Sequence, residues 1–213
     1  GGQRFDPDGL NACRRAAPSM GRLSAERVGG EMKRMLGLEQ VALTLQTMVV
    51  SEVVALGSDV IRHLTSYEQR ATPPTLFGRL AIIIAGSDAA SVQKRWRLSN
   101  ADVTEAEAVL DAAELLAHGK VNEATYRFRH ALPDAIALGA IRHHWDDARV
   151  TELNDEVHQL HIPRFPLSGR DLMQHGYPSG PALGVELRRL EQLWIDSGFR
   201  LDRPSLLAAV KGA

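Results

Sequence analysis

A single cysteine, Cys13, serves the whole 213-residue chain. It excludes an internal disulfide, and with it the small disulfide-stapled secreted scaffolds, and it fits a reducing compartment. Long apolar runs are missing too. The longest, Leu80-Ala81-Ile82-Ile83-Ile84-Ala85, has about a third of the length that a membrane-spanning helix needs. No basic-then-apolar leader opens the sequence, so the expected location is cytoplasmic, with no membrane partner. Charge of one sign is also lacking: 25 Lys+Arg stand against 26 Asp+Glu, for a net charge of −1. That removes the global basic footprint of many nucleic-acid-binding domains and leaves only local clusters for such a role. No turn dipeptide sits between alternating apolar runs, so hairpins are not expected. The Gly176–Gly184 segment lacks the Lys-Ser/Thr of a phosphate loop. What is present is an ordinary globular composition, 44% hydrophobic and 24% charged in 23.3 kDa, enough for one large domain or two small ones.

Helix punctuation fills the chain. Asp6-Pro7-Asp8 opens one helix, which runs out near Pro18. Ser24 caps a second, whose Val28, Met32, Met35 and Leu36 fall on one face. Gly29-Gly30 inside it costs roughly 1–2 kcal/mol against two alanines, which predicts a close helix crossing or a break. A third helix is expected from Leu38 to Leu45 and beyond. Further helices are expected over 59–69, 75–85, 87–97, 100–118, 121–131, 134–144 and 150–160. The capping signals include Ser87-Asp88 and Ser99-Asn100-Ala101-Asp102. Val49-Val50 and Val53-Val54 have strand character but no partner strand. Pro163 and Pro166 mark a linker. A short helix, a Gly/Pro turn and a long amphipathic helix ending on Trp194 follow it. The predicted class is all-α, an irregular multi-helix array without a fixed repeat, divided as 1–56, 57–162 and 163–213.

Three stretches carry candidate function. In Glu26-Arg27-Val28-Gly29-Gly30-Glu31, Arg27 and Glu31 are one helical turn apart and set to pair at i, i+4. In Arg95-Trp96-Arg97-Leu98-Ser99-Asn100 a basic helix end meets a helix cap, with Trp96 either stacking or buried. In Gly176-Tyr177-Pro178-Ser179-Gly180-Pro181-Ala182-Leu183-Gly184 the prolines fix the turn and Gly180 precedes a helix whose first amides are free. Such a helix start suits a phosphate. Arg170, Arg188 and Arg189 lie near enough in sequence to supplement it, although the same segment serves equally as a corner packing Leu172, Leu183, Leu190 and Trp194. His143-His144 with Asp146-Asp147, and His158 with His161, form no convincing metal set, so no metal site is expected.

Taken in order over about 200 residues, these stretches resemble the neck, body and tail of the class II tRNA nucleotidyltransferases, the CCA-adding enzymes and their poly(A) polymerase relatives. The resemblance implies that Glu26, Arg27 and Glu31 brace the neck. It implies that Arg95, Arg97, Arg170, Gly180, Arg188 and Arg189 face RNA, and that tRNA is the partner, gripped by shape. The family's catalytic head needs Gly-Ser-x-x-Arg and then Asp-x-Asp to hold two metal ions. Here Gly57-Ser58 precedes Arg62, one residue too late, with no Asp-x-Asp after it. Asp6-Pro7-Asp8 has the letters without the Gly-Ser. The templating Glu-Asp-x-x-Arg element is expected before Gly1. The resemblance therefore implies a non-catalytic portion with no cofactor of its own. Mg²⁺, CTP and ATP would belong to a parent enzyme with an N-terminal catalytic head. A homo-oligomer is possible. The rival expectations are a stand-alone all-helical interaction module docking through Val49-Val50 or Ile82-Ile83-Ile84, and a small-molecule hydrolase at His143.

Overall fold

The computed structural model describes residues 6–18 and 24–211, and the regular elements among them are all helical. In order they are α1 (Pro7–Ala16), α2 (Ala25–Leu36), α3 (Val41–Val50), α4 (Ser58–Arg70), α5 (Leu76–Ala85), α6 (Ala89–Trp96) and α7 (Asn100–Ala117). Then come α8 (Val121–Phe128), α9 (Leu132–Arg142), α10 (Asp147–Gln159), α11 (Gly169–Gln174), α12 (Pro181–Asp196) and α13 (Arg203–Ala208). The all-α class is as the sequence predicts.

Local chemistry explains most of the boundaries. Asp6, Ser24, Thr75, Asp88, Ser99, Asp146 and Asp202 each accept a hydrogen bond from a first-turn amide of the helix they precede, which satisfies donors that the helix itself leaves open. At α7 the cap is reciprocal, Ser99 and Asp102 each bonding the other's backbone amide. The helix expected from Leu38 begins only at Val41, because Gln40 sits in the left-handed region at φ 53. Val49-Val50 close α3 and Val53-Val54 lie in the turn after it, helical and irregular as the lack of a partner strand implies. Gly29-Gly30 does not break α2, which is continuous.

Three apolar clusters form the core. The first joins α2 to α7 and α9, from Met32 and Leu36 through Leu64, Tyr67, Leu80 and Ile83 to Leu138. Position 56/57 falls within it. The second lies among α7, α8, α9 and α10, around Leu116, Leu132 and Leu153. The third gathers Leu167, Leu172, Leu190, Trp194, Ile195 and Leu206 in the last three helices. Ile82, Ile83 and Ile84 are buried in the first cluster, so they offer no docking surface. Among the described residues no helix is long and apolar enough to cross a membrane.

Candidate nucleic-acid interface

The corner between α2 and α6 brings two of the predicted stretches together. The helices cross so closely that a Cβ on Gly29 would sit 1.7 Å from the Trp96 carbonyl oxygen. This crossing is why Gly29 is glycine. Trp96 is 3% exposed and packs in the first core, so it is an anchor and has no face for a base to stack on. Arg97 ends α6 at φ 46, which turns it outward to meet Glu26 at 3.3 Å. The expected Arg27–Glu31 pair does not form. Glu31 pairs with Arg34 at 2.9 Å instead, because a carboxylate N-terminal to its cation is the better order on a helix. Arg27 and Arg95 are exposed, and neither makes an ion pair among the described residues.

What holds α2 in place is a set of residues that spacing did not single out. Lys33 reaches Asp102 at the start of α7, 2.6 Å away. Burial opposes ionisation of Asp102, but bonds from Lys33 and Ser99 outweigh it and keep the carboxyl below its usual range. At the other end of α2, Arg79, 1% exposed, donates to the Leu36 carbonyl at 2.8 Å and to Glu68 at 2.8 Å. Glu68 in turn accepts from the Val41 amide at 2.8 Å and the Ala42 amide at 3.2 Å, capping α3 from α4. One buried ion pair thus ties the end of α2 to the start of α3. A lone arginine inside the apolar Leu76–Ala85 run was the available signal, since a buried cation needs a carboxylate. Beneath it, Tyr67 and Thr75 both donate to Asp134, and burial, reinforced by Asp134, pushes the Tyr67 phenol well above its ordinary value.

The tail carries its own electrostatics. From residue 163 onward the sequence has seven cationic and five acidic residues, a local positive excess inside a chain of net charge −1. Helix α11 starts with a capping box in which Ser168 and Asp171 bond each other's backbone. The bonds from Ser168, then from Arg203 at 2.8 Å, lower the Asp171 carboxyl to about 2. Gly180, at φ 138, precedes α12, and no side chain caps its amides, so the start of that helix has the free donors expected there. Arg170 and Arg188 are exposed and unpaired among the described residues. Arg189 is different. It grips Glu186 through two bonds of 2.9 and 2.6 Å and the Ala209 carbonyl at 2.6 Å. Glu186 also accepts from the Lys211 amide at 2.9 Å. Arg189 therefore clamps the end of the chain onto α12.

The tail is fixed to the body through α8. Tyr126 donates to Glu191 at 2.8 Å, and Arg127 and Glu123 hold Gln192 at 3.0 and 3.1 Å. Trp194, 1% exposed, is boxed by Tyr126, Phe165 and Phe199 with centroids 5.6, 5.3 and 4.8 Å away. Phe165 pins the Pro163–Pro166 segment to this box.

The metal pair that the resemblance implies for a parent enzyme finds no fitting residues here. Among the described residues no three His, Cys, Asp or Glu side chains come together to hold an ion. Asp6 caps α1, and Asp59 pairs with Arg62 at 2.7 Å on an exposed helix start. His143 stacks on Trp145 with centroids 5.8 Å apart, and His158 bonds the Asn154 carbonyl of its own helix.

No family model matches the chain. It is similar to the mitochondrial CCA tRNA nucleotidyltransferase 1 of Danio rerio, 23% identical over 222 residues, which is 97% of this chain and 51% of that protein. The proteins of the same name in Mus musculus and Homo sapiens are each 38% identical over 56 residues, covering 26% of this chain and 13% of theirs. The similarity to CCA-adding nucleotidyltransferases thus runs almost the full length of this chain, while the chain spans about half the length of the Danio rerio protein.

Proposed function

We propose that this chain is the tRNA-positioning portion of a CCA-adding tRNA nucleotidyltransferase or poly(A) polymerase relative, and that it transfers no nucleotide by itself. The observation that carries this reading is the similarity to such an enzyme over 97% of the chain, and the distribution of cations supports it. Arg27, Arg95 and Arg97 line the α2–α6 corner, with Glu26 steadying Arg97 and Glu31 holding Arg34. Arg170, Arg188 and the free amides after Gly180 form a second phosphate-facing group on the tail. Both groups are backbone contacts in kind, so they grip the shape of a folded RNA and read no sequence. On this reading, addition of nucleotides from CTP and ATP with Mg²⁺ is the work of a separate catalytic head.

The test is a titration of labelled tRNA at about 50 and 150 mM salt, where counterion release makes phosphate contacts most visible. Saturable binding that weakens with salt, and that a hairpin lacking the tRNA elbow fails to displace, is the expected result. Absence of binding at the lower salt sinks the proposal. Incorporation of labelled ATP into tRNA that EDTA abolishes would overturn its non-catalytic part.

A further inference from the structure

The apolar core of the tail takes almost nothing from the body. Among the described residues, Tyr126 is the one hydrophobic side chain from before residue 163 that packs against it. The two body cores, by contrast, run into each other through Phe128, which packs against both. Around Tyr126 the seam between α8 and α12 is polar. Tyr126 donates to Glu191 at 2.8 Å, and Arg127 lies 3.6 Å from the same carboxylate. Gln192 is held from two sides: its carbonyl oxygen accepts from Arg127 at 3.0 Å and its amide donates to Glu123 at 3.1 Å. Arg127 and Glu123 are themselves paired at 3.0 Å, so the three side chains close a ring. The side chains of Arg127 and Glu191 are 33% and 23% exposed, which leaves water at hand to replace each of these bonds. The covalent connection is equally loose. No amide or carbonyl of residues 161–167 enters a main-chain hydrogen bond among the described residues, and Pro163 and Pro166 have no amide proton to give. Phe165 and Leu167 tie this strap to the tail core.

We infer that the tail is a lobe that swings as a unit on this seam, with residues 161–164 as the hinge and the Gln192 ring as the latch. When the latch opens, Gln192, Glu191 and Tyr126 exchange their bonds for bonds to water, and Tyr126 leaves the side of Trp194. The helices of both lobes persist, because each lobe keeps its own core. This is hinge motion in the ordinary sense, in which a few residues between rigid bodies absorb the change. Exchange of protein bonds for water bonds is nearly balanced, so the closed state is preferred only modestly and an open population of about 0.1–10% is accessible. Arg170 and Arg188 travel with the lobe, while Arg27, Arg95 and Arg97 stay with the body. A ligand that touches both lobes therefore favours the latched state, and one that touches the tail alone does not.

Two signals read the open state in the full chain. One is acrylamide quenching of Trp194, which Tyr126 covers on one side; Trp96 and Trp145 lie outside the seam and give a constant background. The other is trypsin cleavage after Arg164, which is exposed but sits next to the pinned Phe165. Tyr126→Phe removes the bond to Glu191, and Gln192→Glu sets a carboxylate against Glu123. Each should raise both signals, by roughly 2–10-fold for the loss of one such bond, while helical CD stays unchanged. Adding Glu123→Gln to Gln192→Glu puts a donor and an acceptor back across the ring and should return both signals to wild type. Signals that do not move in Tyr126→Phe and Gln192→Glu overturn the inference, because the seam is then rigid. Signals that rise together with a loss of helical CD overturn it as well, since the tail has then unfolded and not swung. A double variant that stays as open as Gln192→Glu overturns the ring as the latch. None of these readings involves tRNA, so the inference and the proposed function fail separately.

Discussion

The adjacent glycines of α2 make a matched pair of perturbations with opposite expected signs. Gly30 is exposed, and a Cβ there meets nothing within 4 Å. Replacing it with alanine removes a helix-interior glycine, and Gly30→Ala should stabilise the chain by about 0.5–1 kcal/mol. Gly29→Ala gains the same helix propensity, but its Cβ falls 1.7 Å from the Trp96 oxygen and 2.6 Å from the carbonyl carbon, where ordinary contact begins at 3.4 Å. Both atoms are backbone, so no side chain can rotate away. The helices must part by roughly 1.7 Å, the gap to ordinary contact, and that unseats Trp96 and Met32, 3% and 4% exposed. Overpacking of this kind costs about 1–3 kcal/mol. Set against a gain of about 1 kcal/mol, the net is a loss of up to about 2 kcal/mol. Urea unfolding followed by helical CD measures it as a shift of midpoint at constant slope, and in a chain of this size it lowers Tm by about 2–4 °C per kcal/mol. Because the crossing carries Arg27, Arg95 and Arg97, Gly29→Ala should also weaken tRNA binding while Gly30→Ala leaves it alone. A Gly29→Ala midpoint at or above wild type refutes the close crossing.

The Arg79–Glu68 pair offers a second test. Removing either partner strands a charge in the core, so Arg79→Met or Glu68→Leu alone should cost about 3–5 kcal/mol while the double change costs far less, as urea midpoints would show; equal losses in single and double variants would disprove the pairing. Lowered acidity gives a third. Asp171 titrates at about 2 in the folded chain, below its ordinary value of 3.8, so the stability it contributes is full above about pH 4 and disappears as pH falls through its folded value. Trp194 fluorescence should report loosening of the tail between those values, and Asp171→Asn should abolish that part of the transition. The tail arginines give a fourth: Arg188→Glu should reduce tRNA affinity and its salt slope without moving Tm, whereas Arg189→Glu sets a second carboxylate against Glu186 and should lower Tm. A reversed pattern would mean that the clamp and the RNA-facing cation have been exchanged.

The caps were legible because each is written within four residues: Ser24, Asp88 and the Ser99–Asp102 box all act on their own helix starts. The close crossing at Gly29 was half legible. A glycine pair in a helix announces a contact, but only the fold shows that Gly29 touches Trp96 and Gly30 touches nothing. Pairings over longer range were not legible. Glu68 follows Tyr67 on an amphipathic helix and looks solvated, yet it caps α3 from 27 residues away. Even at short range, spacing named the right partner class and the wrong partner. Glu31 had Arg27 behind it and Arg34 ahead, and the helix geometry favours the one ahead. Arg189 shows the same effect, since it pairs with Glu186, which stands three residues before it on the buried side of α12.

A net charge of −1 is compatible with the RNA-facing surface proposed above because several acids of this chain are spent on neutral donors. Asp6, Asp88, Asp146 and Asp202 each neutralise helix amides, Glu68 takes two amides as well as Arg79, and Asp134 serves two hydroxyls. A carboxylate satisfied by neutral donors leaves some arginine elsewhere without a partner, and Arg27, Arg95, Arg170 and Arg188 are among those arginines. Their field acts outward at the α2–α6 corner and on the tail, where exposed phosphate could come within about a Debye length of 8–10 Å. A cluster of carboxylates stands on α10, where Asp147, Asp155 and Glu156 are exposed along one surface hollow. That face repels phosphate, so under the proposed function an RNA would be steered away from α10 as well as toward the arginines. The orientation such a ligand would take is therefore governed by where the acids are used internally, a quantity that no sum over the composition contains.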